Sequence, residues 1–239
     1  ICLMDLNKVR IVCFDADDTL WANEPYYQDV EQKFCAMLEN YLPQHTTAQE
    51  LFRTEMQNLP LYGYGIKAFM LSMIETALRI TEHQAPPSLI AKIIESGKTM
   101  LDQPIELFAG VTQVLETLSP KYRLVIATKG DLLDQERKLR KSGIASYFHH
   151  VEIMSDKKEA DYHKLIRHLD CQPEEFVMVG NSLKSDILPV LSIGGHGIHI
   201  PYHLTWAHEV IQDPVEHERL LTLDSIEQIT QYFPNEKQD

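Results

Sequence analysis

Short apolar segments rich in β-branched residues recur along the chain, and segments with helical periodicity lie between them. Apolar runs of this length, bounded by polar residues, are typical of strands that are buried on both faces of a sheet. The alternation predicts an α/β fold, a doubly wound parallel sheet with helices on both faces. The predicted strands are Val9 to Phe14, Leu124 to Ala127, Val151 to Met154, Phe176 to Val179, Ile198 to Ile200 and the weaker Leu220 to Leu223.

One long region, from Trp21 to about Pro104, interrupts this alternation because it contains no convincing strand. A connection between parallel strands needs only about a dozen residues, usually as a helix. We therefore predict that residues 21–104 form an inserted all-helical domain, and that residues 1–20 and 105–239 form the core that contains the sheet.

Local signals predict where individual helices begin and end. Thr47 to Glu50 has the pattern of a capping box, which predicts that a helix starts there. Pro86-Pro87-Ser88 predicts the start of another helix. Gly143 follows three basic residues, and cations followed by glycine are typical of a helix end. These basic residues are Lys138, Arg140 and Lys141.

Composition limits the classes of function. The 239 residues include 35 Asp and Glu against 22 Lys and Arg, which gives a formal net charge of −13. No basic patch is evident, so we expect no nucleic-acid partner. No apolar run approaches the roughly 18 residues that a membrane span needs, so we expect no membrane association. The acidic composition fits a protein that acts on small molecules. An anionic substrate would need a bound cation to offset the negative charge.

The cysteines favour a reducing environment. Cys2, Cys13, Cys35 and Cys171 form no CxxC pair, and two of them lie in apolar runs. We expect reduced core cysteines in a cytoplasmic protein rather than disulfides or a zinc site. The first residues also lack the pattern of a signal peptide, and the tail PNEKQD is predicted to be frayed.

The strongest candidate for chemistry is Phe14-Asp15-Ala16-Asp17-Asp18-Thr19-Leu20, directly after the first predicted strand. In open α/β sheets, ligands bind beyond the carboxyl ends of the strands. Asp15 and Asp17 at positions i and i+2 can converge on one substrate, where one acts as a nucleophile and the other transfers protons. An Asp-rich turn in which Asp15 only caps the next segment is the alternative.

Other predicted strands also end in polar residues. Thr128 ends the second strand, Lys157 follows the third, and Asn181 and Asp186 follow the fourth. Carboxylates, a hydroxyl, an ammonium group and an amide oxygen are therefore expected at one edge of the sheet. Each feature alone is ordinary, and their repeated placement carries the prediction of a site.

This set resembles the motifs of the haloacid dehalogenase superfamily. The first motif, DxDxT, occurs as DADDT, and the last occurs as Gly180-Asn181 with Asp186 five residues after Asn181. Thr128 and Lys157 match the two motifs between them. The resemblance covers the predicted core and implies a Rossmann-like domain, with residues 21–104 as the cap that many members carry between the first two motifs.

The resemblance also implies a mechanism. Asp15 would attack a phosphoryl group and form an aspartyl-phosphate, and Asp17 would protonate the leaving oxygen and then activate water. Mg²⁺ is expected on Asp15, the backbone carbonyl of Asp17, Asn181 and Asp186, because it prefers oxygen ligands and shields the negative charges from one another. Thr128 and Lys157 would hold the phosphate oxygens. The expected substrate is a small phosphorylated metabolite of unknown identity, and the oligomeric state stays open.

Several alternatives remain. Members of the family often carry Asp where Asn181 stands, and the uncharged amide should weaken metal binding or shift it toward Asp186. Lys158 is adjacent to Lys157, which we choose because Ser155-Asp156-Lys157 matches the family pattern better. A dehalogenase and a phosphomutase share this fold, as does a non-catalytic binding protein that has retained it. Asp17 favours the phosphatases, because dehalogenases need no acid for the leaving group.

Selectivity for the substrate is expected to lie in the inserted helices. Leu61-Tyr62-Gly63-Tyr64-Gly65-Ile66-Lys67 is a turn rich in glycine and tyrosine between two predicted helices. Tyr62, Tyr64 and Lys67 are the candidate contacts to the leaving group. A plain connection whose tyrosines pack on the core is an equal alternative.

Overall fold

The computed structural model describes residues 4–233. Within this range, six strands form one sheet in the order β3-β2-β1-β4-β5-β6. The pairs that β1 forms with β2 and β4 are parallel, as are β4–β5 and β5–β6. The predicted α/β fold is therefore confirmed. The strands are β1 Ile11–Phe14, β2 Arg123–Lys129, β3 His150–Met154, β4 Phe176–Gly180, β5 His196–His199 and β6 Leu220–Thr222.

Both faces of the sheet are buried, as the continuous apolar runs predicted. Val12 and Phe14 of β1 belong to one apolar cluster, whereas Ile11 and Cys13 belong to another. Side chains alternate between the two faces of a strand, so each cluster lies on its own face of the sheet. The helices that accompany the strands are α5 Val111–Leu118, α6 Leu132–Ser142, α7 Glu159–His168 and α8 Leu188–Ser192.

Apart from the isolated bridges of Trp21, the inserted region consists of helices joined by short connections. Its helices share one apolar core, whose largest fully buried side chains include Phe34, Leu51 and Met73. The stripes in this region are helix-bundle core, as their periodicity indicates. The helices are α1 Glu24–Met37, α2 Gln44–Tyr62, α3 Ile66–Ile80 and α4 Pro87–Asp102.

The chain divides into two compact units. Of the described residues, the first unit takes those within Ile1–Glu24, Ile105–Thr128 and Lys138–Asp239. The second takes Pro25–Pro104 together with Lys129–Arg137. The second unit thus contains residues 25–104 of the predicted insertion and also the segment directly after Thr128, whereas residues 21–24 belong to the first unit.

The local predictions had mixed outcomes. The capping box at Thr47 was wrong, because α2 already begins at Gln44 after Pro43 and Thr47 is buried inside the helix. The start of α4 at Pro87 is confirmed. The end of α6 before Gly143 is also confirmed, and Gly143 has a φ of 74°, which favours glycine.

Three further predictions concern the cysteines, the C-terminal tail and the absence of a membrane span. Cys13, Cys35 and Cys171 are buried free thiols, as expected, whereas Cys2 and the tail PNEKQD lie outside the described residues. Among the described residues, no helix combines the length and apolar character that crossing a membrane requires.

Candidate active site

The carboxyl ends of three strands bring the predicted residues together. Asp15 follows β1, and its backbone N–H donates to the carbonyl of Val179 in β4 at 2.9 Å. Lys157 follows β3, and Asn181 follows β4 directly. Because these strands belong to one sheet with β1 near its centre, their ends deliver side chains to a common point beyond β1.

Lys157 joins two of the predicted carboxylates. Its ammonium nitrogen lies 2.5 Å from Asp15 Oδ1 and 2.7 Å from Asp186 Oδ1. The side chain of Lys157 is 2% exposed, and those of Asp15 and Asp186 are 10% and 1% exposed. The cost of taking these charges out of water is offset only by close ion pairing and further hydrogen bonds. Lys158 by contrast is 77% exposed and lies 3.3 Å from Asp156, so Lys157 is the lysine of this cluster.

The cluster perturbs the ionisation of its members. Burial and the neighbouring Asp186 raise the pKa of Asp15 to about 7, although Lys157 acts in the opposite direction. Burial alone would lower the pKa of Lys157, but the charges of Asp15 and Asp186 outweigh it and raise this pKa above the ordinary value. One cation facing two buried carboxylates leaves an excess negative charge, which a metal ion would neutralise.

The π-helical turn Leu183–Ile187, which follows β4, places Asp186 by close packing. A Cβ atom on Gly180 would lie 2.2 Å from Asp186 Oδ2. Only glycine therefore fits at the end of β4, where the Asp186 carboxylate packs against the backbone. Asp186 Oδ2 also accepts the backbone N–H of Ser182 at 3.0 Å. The glycine of the last motif is therefore explained by the close approach of a side chain to the backbone.

Oxygen atoms converge around Asn181. With its amide nitrogen turned toward them, Asn181 donates to Asp15 Oδ2 at 3.0 Å, to the Asp17 carbonyl at 3.3 Å and to Thr19 Oγ1 at 3.2 Å. With the amide reversed, its oxygen accepts the Thr19 hydroxyl at 3.2 Å but faces the Asp15 carboxylate and the Asp17 carbonyl, which is favourable only around a cation. Carboxylate, carbonyl and amide oxygens are the ligands of Mg²⁺ and Ca²⁺, so these residues fit the predicted ion. The proposed ligands include only two carboxylates, because the others are an amide and a backbone carbonyl. Residues 4–233 accordingly contain no group of three or more His, Cys, Asp or Glu side chains suited to a metal.

Asp17 lies in a second cluster. Its Oδ1 accepts hydrogen bonds from the indole Nε1 of Trp21 at 2.8 Å and from the ammonium of Lys138 at 2.9 Å. The same ammonium donates to Asn23 Oδ1 at 2.9 Å. Asp17 thus contributes its backbone carbonyl to the surroundings of Asn181, while its side chain is held by Trp21 and Lys138.

Thr128 is buried in β2, the strand next to β1. The register pairs Phe14 with Ile126, so Thr128 is two residues beyond that pair and near the level of Asp15. This is the position expected for a hydroxyl that faces the same edge of the sheet.

The three residues predicted to contact the substrate lie in the second unit. Tyr62 donates its hydroxyl to Glu75 Oε1 at 3.1 Å. The Lys129 ammonium lies 4.0 Å from the centre of the Tyr64 ring, and Lys67 pairs with Asp131 at 2.8 Å. The turn before α3 is thus tied to the segment after Thr128, and a role for Tyr62, Tyr64 or Lys67 in substrate binding stays a prediction.

Sequence reasoning missed several residues that shape the site. Lys138 was interpreted as a cation at a helix end, but its side chain is buried against Asp17. Glu209 belongs to none of the predicted motifs, yet its Oε2 accepts hydrogen bonds from the hydroxyls of Ser182 and Ser185, each at 2.6 Å. These contacts join residues 24 to 121 positions apart, so no local pattern could reveal them.

Comparison with known proteins decides the family. A family model described as a haloacid dehalogenase-like hydrolase matches residues 9–194. The chain belongs to this family. The match spans most of the sequence, so the predicted family and the expectation of a hydrolytic enzyme are confirmed.

Individual relatives are more distant. The chain is 26% identical over 231 residues to the glyceraldehyde 3-phosphate phosphatase of Methanothermobacter thermautotrophicus, covering 92% of this chain and 98% of that protein. It is 25% identical to the human N-acylneuraminate-9-phosphatase, covering 80% and 82% of the two chains. A haloacid dehalogenase-like hydrolase from Xanthomonas campestris is similar in structure, with a TM-score of 0.81 and 39% identity over 91% of this chain and 87% of the other.

Proposed function

We propose that this member of the family is a Mg²⁺-dependent phosphatase that hydrolyses small phosphomonoesters through an aspartyl-phosphate. One observation carries the proposal: the buried Asp15 carboxylate at the end of β1 lies between the Lys157 ammonium on one side and the oxygen-rich surroundings of Asn181 on the other. Curated relatives that are named phosphatases support this reaction class.

Asp15 is proposed as the nucleophile. A carboxylate oxygen of Asp15 attacks phosphorus while the bond from phosphorus to the leaving oxygen breaks, which yields an acyl phosphate and an alcohol. Water then attacks the phosphorus of the acyl phosphate, which releases phosphate and regenerates the carboxylate. Lys157, already bound to Asp15 Oδ1, stabilises negative charge beside the transferring group.

Asp17 is proposed as the general acid and base. It would donate a proton to the leaving oxygen in the first step and take a proton from water in the second. The two aspartates are held by different partners, Asp15 by Lys157 and Asp17 by Trp21 and Lys138. Separate environments allow neighbouring carboxyl groups to take separate roles.

Asp15, the Asp17 carbonyl, Asn181 and Asp186 are the residues that would hold Mg²⁺. When bound, the ion supplies positive charge that neutralises the phosphate and these carboxylates. The buried Thr128, with the ammonium of Lys157, would hold the phosphate oxygens. Positioning of this kind supplies much of the catalysis in phosphoryl transfer.

The named relatives support a class of substrate but not a single compound. The archaeal phosphatase is named for a triose phosphate and the human one for a sugar acid phosphate, so a small phosphorylated metabolite is proposed for this chain. We also propose that the inserted residues 21–104 act as the cap that selects it, through Tyr62, Tyr64 or Lys67. A cytoplasmic location follows the same reasoning as the reduced cysteines.

A phosphatase assay tests this proposal. The protein should hydrolyse p-nitrophenyl phosphate with Mg²⁺ and stop when EDTA is added. Asp15→Asn should lower kcat by at least about 10⁴-fold, as expected when a nucleophile is removed, with an unchanged circular dichroism spectrum. Asp170→Asn, at an exposed aspartate, is the matched control and should retain activity. Full activity of Asp15→Asn, or halide release from haloacids without metal, would contradict the proposal.

A further inference from the structure

Lys138 reaches the site from an element that no motif includes. It lies near the end of α6, 121 residues from Asp17 in sequence, and its side chain is only 11% exposed. Burying a flexible, charged side chain is costly unless its charge and donors are matched. Here the match is specific, because the ammonium binds the carboxylate of Asp17 and the amide oxygen of Asn23.

Two donors to the Asp17 side chain bind the same oxygen. Trp21 Nε1 and Lys138 Nζ each lie within 3 Å of Oδ1. Trp21 is itself fixed, because it is 1% exposed and its backbone pairs with those of Asp17 and Leu107. Two donors from different elements on one oxygen restrict the rotation of the carboxylate.

We propose that Lys138 is a positioning residue for the proton transfers of Asp17: with Trp21 it holds Oδ1 and so fixes the orientation of the carboxyl group. This inference rests on the proposed function. In the first step the proton passes from the Asp17 carboxyl group to the leaving oxygen as its bond to phosphorus breaks. In the second step the Asp17 carboxylate takes a proton from the attacking water, so Asp17 returns to its starting state.

A positioning role has a kinetic signature that a purely structural role lacks. A good leaving group such as p-nitrophenolate needs little protonation, whereas an alkoxide depends strongly on the acid. Loss of a positioned general acid costs about 10²- to 10⁴-fold where protonation matters. The defect of a Lys138 variant should therefore grow as the leaving group becomes more basic.

The experiment compares kcat/KM, which reports the first step, for p-nitrophenyl phosphate, phenyl phosphate and glycerol 2-phosphate. Lys138→Met should lose about 10²-fold on glycerol 2-phosphate and less than about 10-fold on p-nitrophenyl phosphate. Lys138→Gln, which retains a donor, should fall between wild type and Lys138→Met. Lys141→Met, an exposed lysine on the same helix, is the matched control and should match wild type on all three substrates.

A double-mutant cycle links the effect to Asp17. Asp17→Asn should show the same dependence on leaving group, and adding Lys138→Met to it should cost little more. Equal losses on all three substrates, additive effects in the cycle, or failure of both Lys138 variants to fold would overturn the inference. A wild-type protein that hydrolyses none of the phosphates would instead contradict the proposed function, so the two failures are distinguishable.

Discussion

Lys157 and Lys138 are two buried lysines that each bind an aspartate of the first motif, and they differ in what surrounds them. Lys157 lies between Asp15 and Asp186 and is almost fully buried. Lys138 binds the carboxylate of Asp17 and the amide oxygen of Asn23, and is less deeply buried. Lys157 therefore faces two carboxylates that are at most 10% exposed, whereas the carboxylate of Asp17 is 22% exposed.

This difference matches the two proposed roles. A nucleophile that acts beside a metal ion needs neighbouring oxygen ligands and negative charge that the ion can neutralise. Asp15 has both in Asp186 and the oxygens around Asn181. A residue that only exchanges protons needs a fixed orientation, which Trp21 and Lys138 provide for Asp17. In the proposed mechanism, two residues of the same type would thus take different roles because their partners differ.

Removal of Lys157 should have the largest effect. Lys157→Met leaves two buried carboxylates without their counter-charge, and breaking a buried pair from one side costs about 3–5 kcal/mol. We expect that decrease in the free energy of unfolding, measured by urea denaturation without metal, and nearly complete loss of activity. The neighbouring Lys158→Met should change stability by less than about 0.5 kcal/mol. Equal effects of the two variants would contradict the assignment of Lys157.

Removal of Lys138 should destabilise the protein less. Lys138→Met leaves the partly exposed carboxylate of Asp17, which Trp21 still contacts, so we expect a cost of about 1–3 kcal/mol in the same denaturation experiment. A loss as large as that of Lys157→Met would show that the two clusters do not differ in burial as described.

A charge added at residue 181 should sharpen the contrast in metal binding. Asn181→Asp places a third carboxylate near Asp15, which should lower the Mg²⁺ concentration for half-maximal activity by about tenfold, equivalent to about 1.4 kcal/mol. Without metal, the same variant should be less stable than wild type because like charges repel. Titration calorimetry with Mg²⁺ checks the affinity directly, and unchanged affinity would argue against Asn181 as a ligand.

His196, at the start of β5, contrasts with both lysines, because it is a buried basic group whose surroundings disfavour its charged form. Burial lowers the pKa of His196 below its ordinary 6.5, and nearby Arg219 adds to this effect, although Asp5 opposes it. The unfolded chain therefore takes up a proton more readily, and the stability from neutral His196 is present above pH 6.5 and lost as the pH falls. His196→Gln should reduce the decrease in Tm between pH 7 and pH 5 by a small amount, reflecting less than about 1 kcal/mol. An unchanged slope would contradict this.

Much of the core could be predicted because its signals are local. Strand ends at Asp15, Thr128 and Asn181 follow from apolar runs, and parallel strands present such ends at one edge of a sheet. The helical insertion follows from the missing strand pattern between Trp21 and Pro104. The capping box at Thr47 failed because an earlier proline-preceded start at Gln44 was available, and tertiary packing buried the threonine.

What the sequence by itself determined is the alternation of strands and helices and the polar residues at the strand ends, because hydrophobic periodicity and turn chemistry act between neighbours. Only the tertiary structure decided that Lys138 binds Asp17, that Glu209 holds Ser182 and Ser185, and that Lys157 rather than Lys158 enters the cluster. Those contacts depend on which side chain a distant element presents and how deeply it is buried. Local patterns carry no record of either.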